Sequence, residues 1–467
     1  MQSKEIVLNI EALEFEGKGV AHFEGKVYFV AGGVPGDVVK CKIKKSRKSY
    51  AEAEIIEILR PSGKRIVPLC KHFGVCGGCR LQHIGYEDQL QYKQKAVEDA
   101  LRHIGGLSEA KVLPIIGADN IFHYRNKMEF TFSDKKWLLE EDKLSETIFK
   151  DSFGLGLHIP NRYDKVLDIE KCWLQNEVFN RILNLTRDFV KEQKLSVYSN
   201  KTHEGYLRHL MIRTSAYSGE IMINLVTSTH NLEVMDRYTE HIIKNVPEVT
   251  TVVNNVTTRM SKVAIGEEEK VYYGNGYILE KLGKCLFKIS ANSFFQTNTE
   301  QAAKLYDLVK DYSNFKNTDV VYDLYCGTGS IAIYISDYVK EVIGIELVES
   351  AVNDARKNVE LNNIKNCIFI QGDLKEILTS KDFKKSGIKP DIVILDPPRS
   401  GVHPTVLKVV SDVRPRIITY VSCNPTTLSR DLKILSQSEY QVLFIQPVDM
   451  FPQTYHIESI AVLESLK

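Results

Sequence analysis

In YVSCNPTTLSRDL, residues 420–432, a short apolar run delivers Cys423 to a break made by Asn424-Pro425. Proline lacks the backbone donor a strand needs and restricts the residue before it. The thiol is therefore expected at the lip of a sheet. A thiolate there is soft, nucleophilic and also a good leaving group. It can add to an electron-poor ring carbon, send electron density to the neighbouring carbon, and be expelled later. Such a cycle needs a base to take the displaced hydrogen as a proton. Glu458, in DMFPQTYHIESIAVL before the strand-like run SIAVL, is the candidate, and His456 is the local alternative. The plainer readings are a small buried cysteine and a solvated carboxylate.

A second group of residues suits a nucleoside. Asp323-Leu-Tyr-Cys-Gly-Thr-Gly-Ser330 falls where a strand should turn into a helix, and glycines there allow positive φ and close approach of a ligand. Glu346 closes the next strand about twenty residues on, the distance at which an acid meets a ribose. Asp373 ends the third strand. The third glycine of G-x-G-x-x-G is missing, which points to a single nucleoside such as S-adenosylmethionine in preference to NAD. A purely structural tight turn is the alternative. Asp396-Pro397-Pro398-Arg399 forms a rigid loop whose carboxylate and carbonyls can meet a flat base. A similar Asp-Pro-Pro followed by an aromatic residue occurs in exocyclic-amine methyltransferases, but Arg399 stands where that ring would be.

Cys70-Lys-His-Phe-Gly-Val-Cys76-Gly-Gly-Cys79 puts three thiols within ten residues, a spacing that suits one metal or cluster. Cys172, beside Trp173, is the best fourth ligand. On spacing alone zinc is slightly favoured, with four thiolates or with His72 or His83 substituting. Cys41, Cys285 and Cys367 read as ordinary core or strand residues, and Cys326 belongs to the nucleoside turn.

Lys40-Cys-Lys-Ile-Lys-Lys-Ser-Arg-Lys-Ser-Tyr50 holds six basic residues and no acid. Alternation puts Lys40, Lys42 and Lys44 on one strand face, a stripe for phosphates or a solubilising edge strand. Phe122-His-Tyr-Arg-Asn-Lys127 mixes aromatic and basic side chains suited to stacking and phosphate contact.

These residues need positioning by more than one domain. A chain of 467 residues implies two to four. Lys+Arg at 61 against Asp+Glu at 60 leaves nucleic-acid binding to local patches. Nine cysteines without an export signal argue against a disulfide framework. The start MQSKEIVLNI lacks a signal-peptide core and no run reaches membrane-spanning length, so a soluble cytoplasmic protein with no membrane partner is expected. Residues 1–60 read as a small all-β barrel cut by glycine turns. Residues 61–290 hold the cysteines, a helix near 86–107 that is expected to end at a Gly pair and to pack on the catalytic domain, and then a mixed α/β or antiparallel domain. From 291 to 467, VVYDLYCGTGS, EVIGIEL, NCIFIQGDL, DIVILDPPRSG and RIITYVSC alternate with helical pattern, including Val348, Val352, Ala355 and Val359 on one face. That rhythm predicts a doubly wound α/β sheet with ligands at the carboxyl ends of its strands.

Four stretches together resemble the RNA 5-methyluridine methyltransferases: Asp323 to Gly329, Asp396 to Arg399, Ser422-Cys-Asn-Pro-Thr-Thr-Leu-Ser-Arg-Asp431, and Asp449-Met-Phe-Pro-Gln-Thr-Tyr-His-Ile-Glu458. Ser293-Phe-Phe-Gln296 is similar to that family's entry to its class I methyltransferase domain. The resemblance implies Cys423 as nucleophile toward uracil carbon 6 and Glu458 as the base at carbon 5. It places Gln296, Tyr325, Ser330, Glu346, Asp373 and Asp396 at S-adenosylmethionine. Tyr325, Ser330 and Asp373 depart from the Phe, Asn and Asn more usual there. The N-terminal barrel looks like a TRAM domain, an OB-like RNA-binding module. The four cysteines look like the [4Fe–4S] site of the 23S ribosomal-RNA (RumA-like) branch, so 23S rRNA is the expected substrate and transfer RNA the alternative. No obligate protein partner is implied. Exocyclic-amine methylation and a non-catalytic RNA-binding protein are the rival readings.

Overall fold

The computed structural model describes residues 5–139, 152–160, 162–260, 266–380 and 389–466. By compactness the chain falls into two units. One is Met1–Gly74, Gly78–Ile121 and Ile394–Lys467; the other is Val75–Gly77 and Phe122–Val393.

In the first unit, the N-terminal segment folds as a six-stranded sheet. Its spatial order is Glu5–Asn9, Val38–Ser46, Tyr50–Arg60, Lys26–Ala31, Gly19–Phe23, Ala12–Leu13. Strict alternation sends Ile6, Leu8, Val30, Val39, Cys41, Ala51 and Ala53 into one small core. Glu24 and Gly25, both at positive φ, close the hairpin between Phe23 and Lys26, as a two-residue turn of that hand requires. Lys40, Lys42 and Lys44 do lie on the face opposite Cys41. Their strand is not an edge, since it sits between Glu5–Asn9 and Tyr50–Arg60. Lys40 pairs with Glu5 at 2.7 Å and Lys44 with Glu54 at 2.5 Å, so two of the three charges are already matched.

The helix expected near 86–107 runs as an α-helix over Tyr86–Ala100 and continues as a wider π-turn over Leu101–Gly105. Gly106, at φ 66°, ends it in the left-handed conformation usual after a helix.

In the second unit, a seven-stranded mixed sheet runs Glu268–Tyr273, Val249–Val256, Ile221–Thr227, Leu207–Thr214, Lys127–Ser133, Gly154–Ile159, Arg162–Asp168. Ile221–Thr227 and Val249–Val256 are parallel and are joined through the helix Leu232–Asn245; every other pairing is antiparallel. One face buries Phe130, Leu210, Ile223 and Val252 together with Phe179 and Ile182 of the helix Glu177–Glu192.

The remaining seven-stranded sheet has the order Cys367–Gln371, Glu341–Glu346, Val320–Leu324, Ile392–Leu395, Ile417–Ser422, Glu458–Ser465, Tyr440–Val448. Its first three strands are parallel and alternate with helices. Glu458–Ser465 runs antiparallel to both of its neighbours. The sheet thus extends past the five expected strands, and Glu458 is the first residue of a strand and not the residue before one. The helix after Glu346 starts at Glu349, so Val348 lies outside it and is exposed, while Val352 and Ala355 are buried. Among the described residues no helix is long and apolar enough to cross a membrane.

Candidate active site

The strand Ile417–Ser422 consists entirely of buried residues, and Asn424 ends it by capping the next helix, accepting from Thr426 N at 3.0 Å with Pro425 in the first turn. Cys423 occupies the single residue between strand and cap. Ser422 is in register with Ser459 on the antiparallel neighbour. Cys423, the next residue, therefore comes beside Glu458, the first residue of that neighbour, close enough for the two to act on each other electrostatically. On its other side Glu458 pairs with Val448.

Burial works against a negative charge on both groups. Burial, then the nearby Glu458 carboxylate, pushes the Cys423 thiol up to about 11, and Arg399 opposes the shift. Burial, then Asp396, raises Glu458 well above the ordinary carboxylate range, again against Arg399. Asp396 itself is pushed up to about 7 by burial. Two carboxyls and a thiol thus share an environment that resists negative charge, with one exposed guanidinium beside them. A thiolate forms here only when something offsets that resistance. His456, the alternative base, has Nε2 3.2 Å from an Arg399 nitrogen and its ring centre 4.1 Å from that of Tyr455.

The Asp396-Pro-Pro-Arg loop is tied to the helix that follows Cys423. Asn424 Nδ2 and Thr427 Oγ1 both donate to the Arg399 carbonyl, at 3.1 and 3.3 Å. Fully buried Asp431 accepts from Val402 N at 2.8 Å and from the Tyr420 hydroxyl at 2.7 Å, and Arg430 Nε reaches its other oxygen at 2.8 Å. Gly401, at φ 76°, lets the loop pass so close that a Cβ would stand 2.6 Å from an Asp431 oxygen. The Arg-Asp tail of the long motif is therefore a brace for Arg399, a role its sequence gave no sign of.

The second unit contains the nucleoside-type turn. Tyr325, Gly327 and Gly329 all have positive φ. Tyr325 pays for that conformation as a non-glycine, on the order of 1 kcal/mol, while a Cβ on Gly329 would come within 2.5 Å of the Phe369 ring. A Cβ on Gly327 would meet nothing within 4 Å, so the turn is open on that side. Glu346 accepts from Gly327 N at 3.1 Å and from Val348 N at 2.9 Å, which fixes its carboxylate at the end of its strand. Asp323 Oδ2 accepts from Ala332 N, and Ser330 Oγ lies 2.8 Å from the Tyr306 hydroxyl. An open turn and an anchored acid at the carboxyl ends of parallel strands fit a nucleoside cosubstrate. Asp373 caps the helix Leu374–Thr379, accepting from Lys375 N at 2.8 Å. That occupation gives its presence a structural reason of its own.

Gln296 is held by its backbone. Its carbonyl accepts from Asn126 Nδ2 at 2.9 Å, and Asn126 N donates to Thr297 O. Buried Arg213 donates to the carbonyls of Ala291 and Ser293. Neither Asn126 nor Arg213 was singled out for this role from sequence; only the fold brings them to the segment. In Phe122–Lys127, Tyr124 and Asn126 are buried and so are not free to stack on a base, whereas His123 is exposed at φ 56° and bonds Gln175 O through Nδ1.

The cysteine site stands differently. Among the described residues no three His, Cys, Asp or Glu side chains are grouped to hold a metal ion. Cys79 Sγ accepts from Gln82 Nε2 at 3.2 Å, and Gln82 Oε1 accepts from Cys70 N. Cys76 and Cys172 are partly buried against the core of the mixed sheet.

A family model described as tRNA (uracil-5-)-methyltransferase matches residues 85–466, and a TRAM domain model matches residues 1–56. An uncharacterised RNA methyltransferase of Chlorobaculum tepidum is 46% identical over 444 residues, covering 94% of this chain and 92% of its own. One of Bacteroides thetaiotaomicron is 42% identical over 452 residues, 96% of this chain and 99% of its own. The crystal structure of Pyrococcus abyssi tRNA (uracil-54, C5)-methyltransferase with S-adenosyl-L-homocysteine superposes with a TM-score of 0.75 at 28% identity, covering 98% of this chain and all of that one. With an N-terminal TRAM domain and a match through nearly all of the remaining chain, this protein belongs to the S-adenosylmethionine-dependent RNA (uracil-5-)-methyltransferases of the tRNA (uracil-5-)-methyltransferase family.

Proposed function

We propose that the protein methylates carbon 5 of a uridine in 23S ribosomal RNA, with Cys423 as nucleophile and Glu458 as base. The observation that carries this reading is the strand register setting Cys423 against Glu458, with Asp396 and Arg399 in the same electrostatic environment. S-adenosylmethionine supplies an electrophilic methyl group, and the residues for it are Gln296, Tyr325, Ser330, Glu346 and Asp396, with Asp373 at the helix cap.

The Cys423 thiol gives up its proton to solvent, its sulfur forms a bond to carbon 6 of the uracil, and the electron pair of the 5,6 double bond moves toward the carbon 4 oxygen as an enolate. That density makes carbon 5 able to accept the methyl group. Carbon 5 then carries both methyl and hydrogen. Glu458 takes that hydrogen as a proton, the double bond re-forms, and the Cys423 sulfur leaves with its electron pair. The proton on Glu458 passes to solvent. A carboxylate in a site that resists charge is a stronger base than one in water, which suits a carbon acid. The uracil must leave its stack to reach a partly buried thiol.

The choice of ribosomal RNA rests on the TRAM domain together with the Cys70, Cys76, Cys79 and Cys172 spacing, which is similar to that of the ribosomal branch. A transfer-RNA substrate is favoured by the whole-length likeness to the Pyrococcus abyssi enzyme. Mapping 5-methyluridine in both RNAs from cells with and without the gene decides between them. Loss of a 23S site supports the first, loss of a tRNA site the second, and no loss in either refutes uridine methylation. Exocyclic-amine methylation needs no thiol, so full turnover by Cys423→Ala would favour it.

A further inference from the structure

The hairpin turn that carries Glu458 is bolted from outside. Strands Tyr440–Val448 and Glu458–Ser465 are joined by residues 449–457, and Val448 pairs with Glu458 at their junction. On the helix Tyr86–Ala100, Tyr86, Gln89 and Lys93 lie three and four residues apart, on one face. Lys93 Nζ donates to Asp449 Oδ1 at 2.7 Å and to the Phe451 carbonyl at 3.1 Å. The Tyr86 hydroxyl donates to Asp449 Oδ2 at 3.0 Å and accepts from Ala118 N at 2.7 Å. Gln89 and Gln453 exchange two bonds: Gln89 Nε2 to Gln453 Oε1 at 3.0 Å, and Gln453 N to Gln89 Oε1 at 3.1 Å. The Gln453 carbonyl accepts from Arg80 N and Leu81 N, directly after Cys79. Gln453 is held at φ 69°, a conformation a non-glycine keeps only under such constraint.

Lys93, Gln89, Asp449 and Gln453 are all buried. A buried lysine–carboxylate pair is a costly way to gain stability, and apolar residues of similar size would do as well or better. What the pair and its two flanking amides do provide is direction, since each bond fixes one point of the turn. We propose that Tyr86, Gln89 and Lys93 are positioning residues for Glu458, acting through Asp449 and Gln453 to set the carboxyl for proton removal. The inference rests on Glu458 being the base. It assigns a task to the Asp449 and Gln453 positions of the long C-terminal motif.

The test separates the proton-removal step from those before it. A uracil fluorinated at carbon 5 undergoes addition and methylation but has no proton there to lose, so it traps the enzyme. Gln89→Leu and, independently, Asp449→Asn are compared with the wild-type enzyme and with Glu458→Gln. On ordinary RNA the two variants should lose kcat on the order of 100-fold, the loss that a displacement of about 1 Å brings, and accumulate methylated RNA linked to the enzyme. KM for RNA and the trapping rate on fluorinated RNA should stay at wild-type values. A structural defect alone would slow trapping and turnover together, and that result, or unchanged turnover, overturns the proposal. If Glu458→Gln itself turns over normally, the assignment of the base fails instead. If Glu458→Gln stalls with linked RNA while both turn variants do not, only the positioning role fails.

Discussion

Cys423 and Glu458 meet because Ser422 and Ser459 are paired residues of an antiparallel ladder, thirty-seven positions apart in the chain. A thiol at the end of one strand and a carboxyl at the start of its neighbour need no loop to find each other. The same register explains why burial and mutual repulsion work against charge on both, since each sits against buried sheet and near the other.

The first prediction concerns pH. With its thiol pushed up to about 11, Cys423 in the free enzyme is almost wholly protonated at neutral pH, and its thiolate fraction rises about tenfold per unit below that value. Alkylation of Cys423 by iodoacetamide, followed at that residue by mass spectrometry, should accelerate about tenfold per unit from pH 7 to 9. A flat rate would mean a thiolate already present.

Glu458→Gln keeps the shape of the base and removes its function. Enzyme linked to methylated RNA should build up on denaturing gels with unmodified substrate, and free product should fall by at least about a hundredfold, within the usual worth of a general base. Free RNA at wild-type yield would remove Glu458 from the mechanism.

Asp431 is predicted to matter without touching substrate. Asp431→Leu removes the buried acceptor of the Tyr420 hydroxyl and of Val402 N and should cost about 3 kcal/mol in urea unfolding, whereas Tyr420→Phe should cost about 1 kcal/mol. If Asp431→Leu unfolds like wild type, the brace on the Arg399 loop is not a stability element.

Gly329→Ala tests the nucleoside turn. Its Cβ would meet the Phe369 ring at a backbone angle that alanine disfavours, with an expected cost of about 2–3 kcal/mol from overpacking and strain. S-adenosylmethionine affinity by calorimetry should fall at least about tenfold; unchanged affinity would place the cosubstrate elsewhere.

The cysteine spacing makes a compositional prediction. If Cys70, Cys76, Cys79 and Cys172 hold a [4Fe–4S] cluster, anaerobically purified protein contains about four irons and four acid-labile sulfides per chain. One zinc and no sulfide would identify the alternative. Neither metal would remove the site.

Much of the site's chemistry was legible in the sequence because strand ends announce themselves. Asn424-Pro425 stops a buried run one residue after Cys423, and Gly327 and Gly329 mark a turn that needs positive φ. Periodicity misjudged Val348, which falls in phase with Val352 and Ala355 but precedes the helix, because phase alone does not locate a cap. Lys40 and Lys44 alternated as expected, yet their acidic partners come from neighbouring strands that a linear reading does not pair. The supports were invisible for the same reason: Lys93 and Asp449 are 356 residues apart, and Asn126 and Gln296 are 170 apart. Long-range hydrogen bonds leave no local pattern.

The covalent bond itself gives the most direct test. Uridine-containing RNA substituted with 5-fluorouridine, incubated with S-adenosylmethionine and enzyme and then digested, should yield one peptide carrying a methylated fluorouridine on the sulfur of Cys423. A link at any other residue, or methylated RNA released with no link at all, would contradict the account.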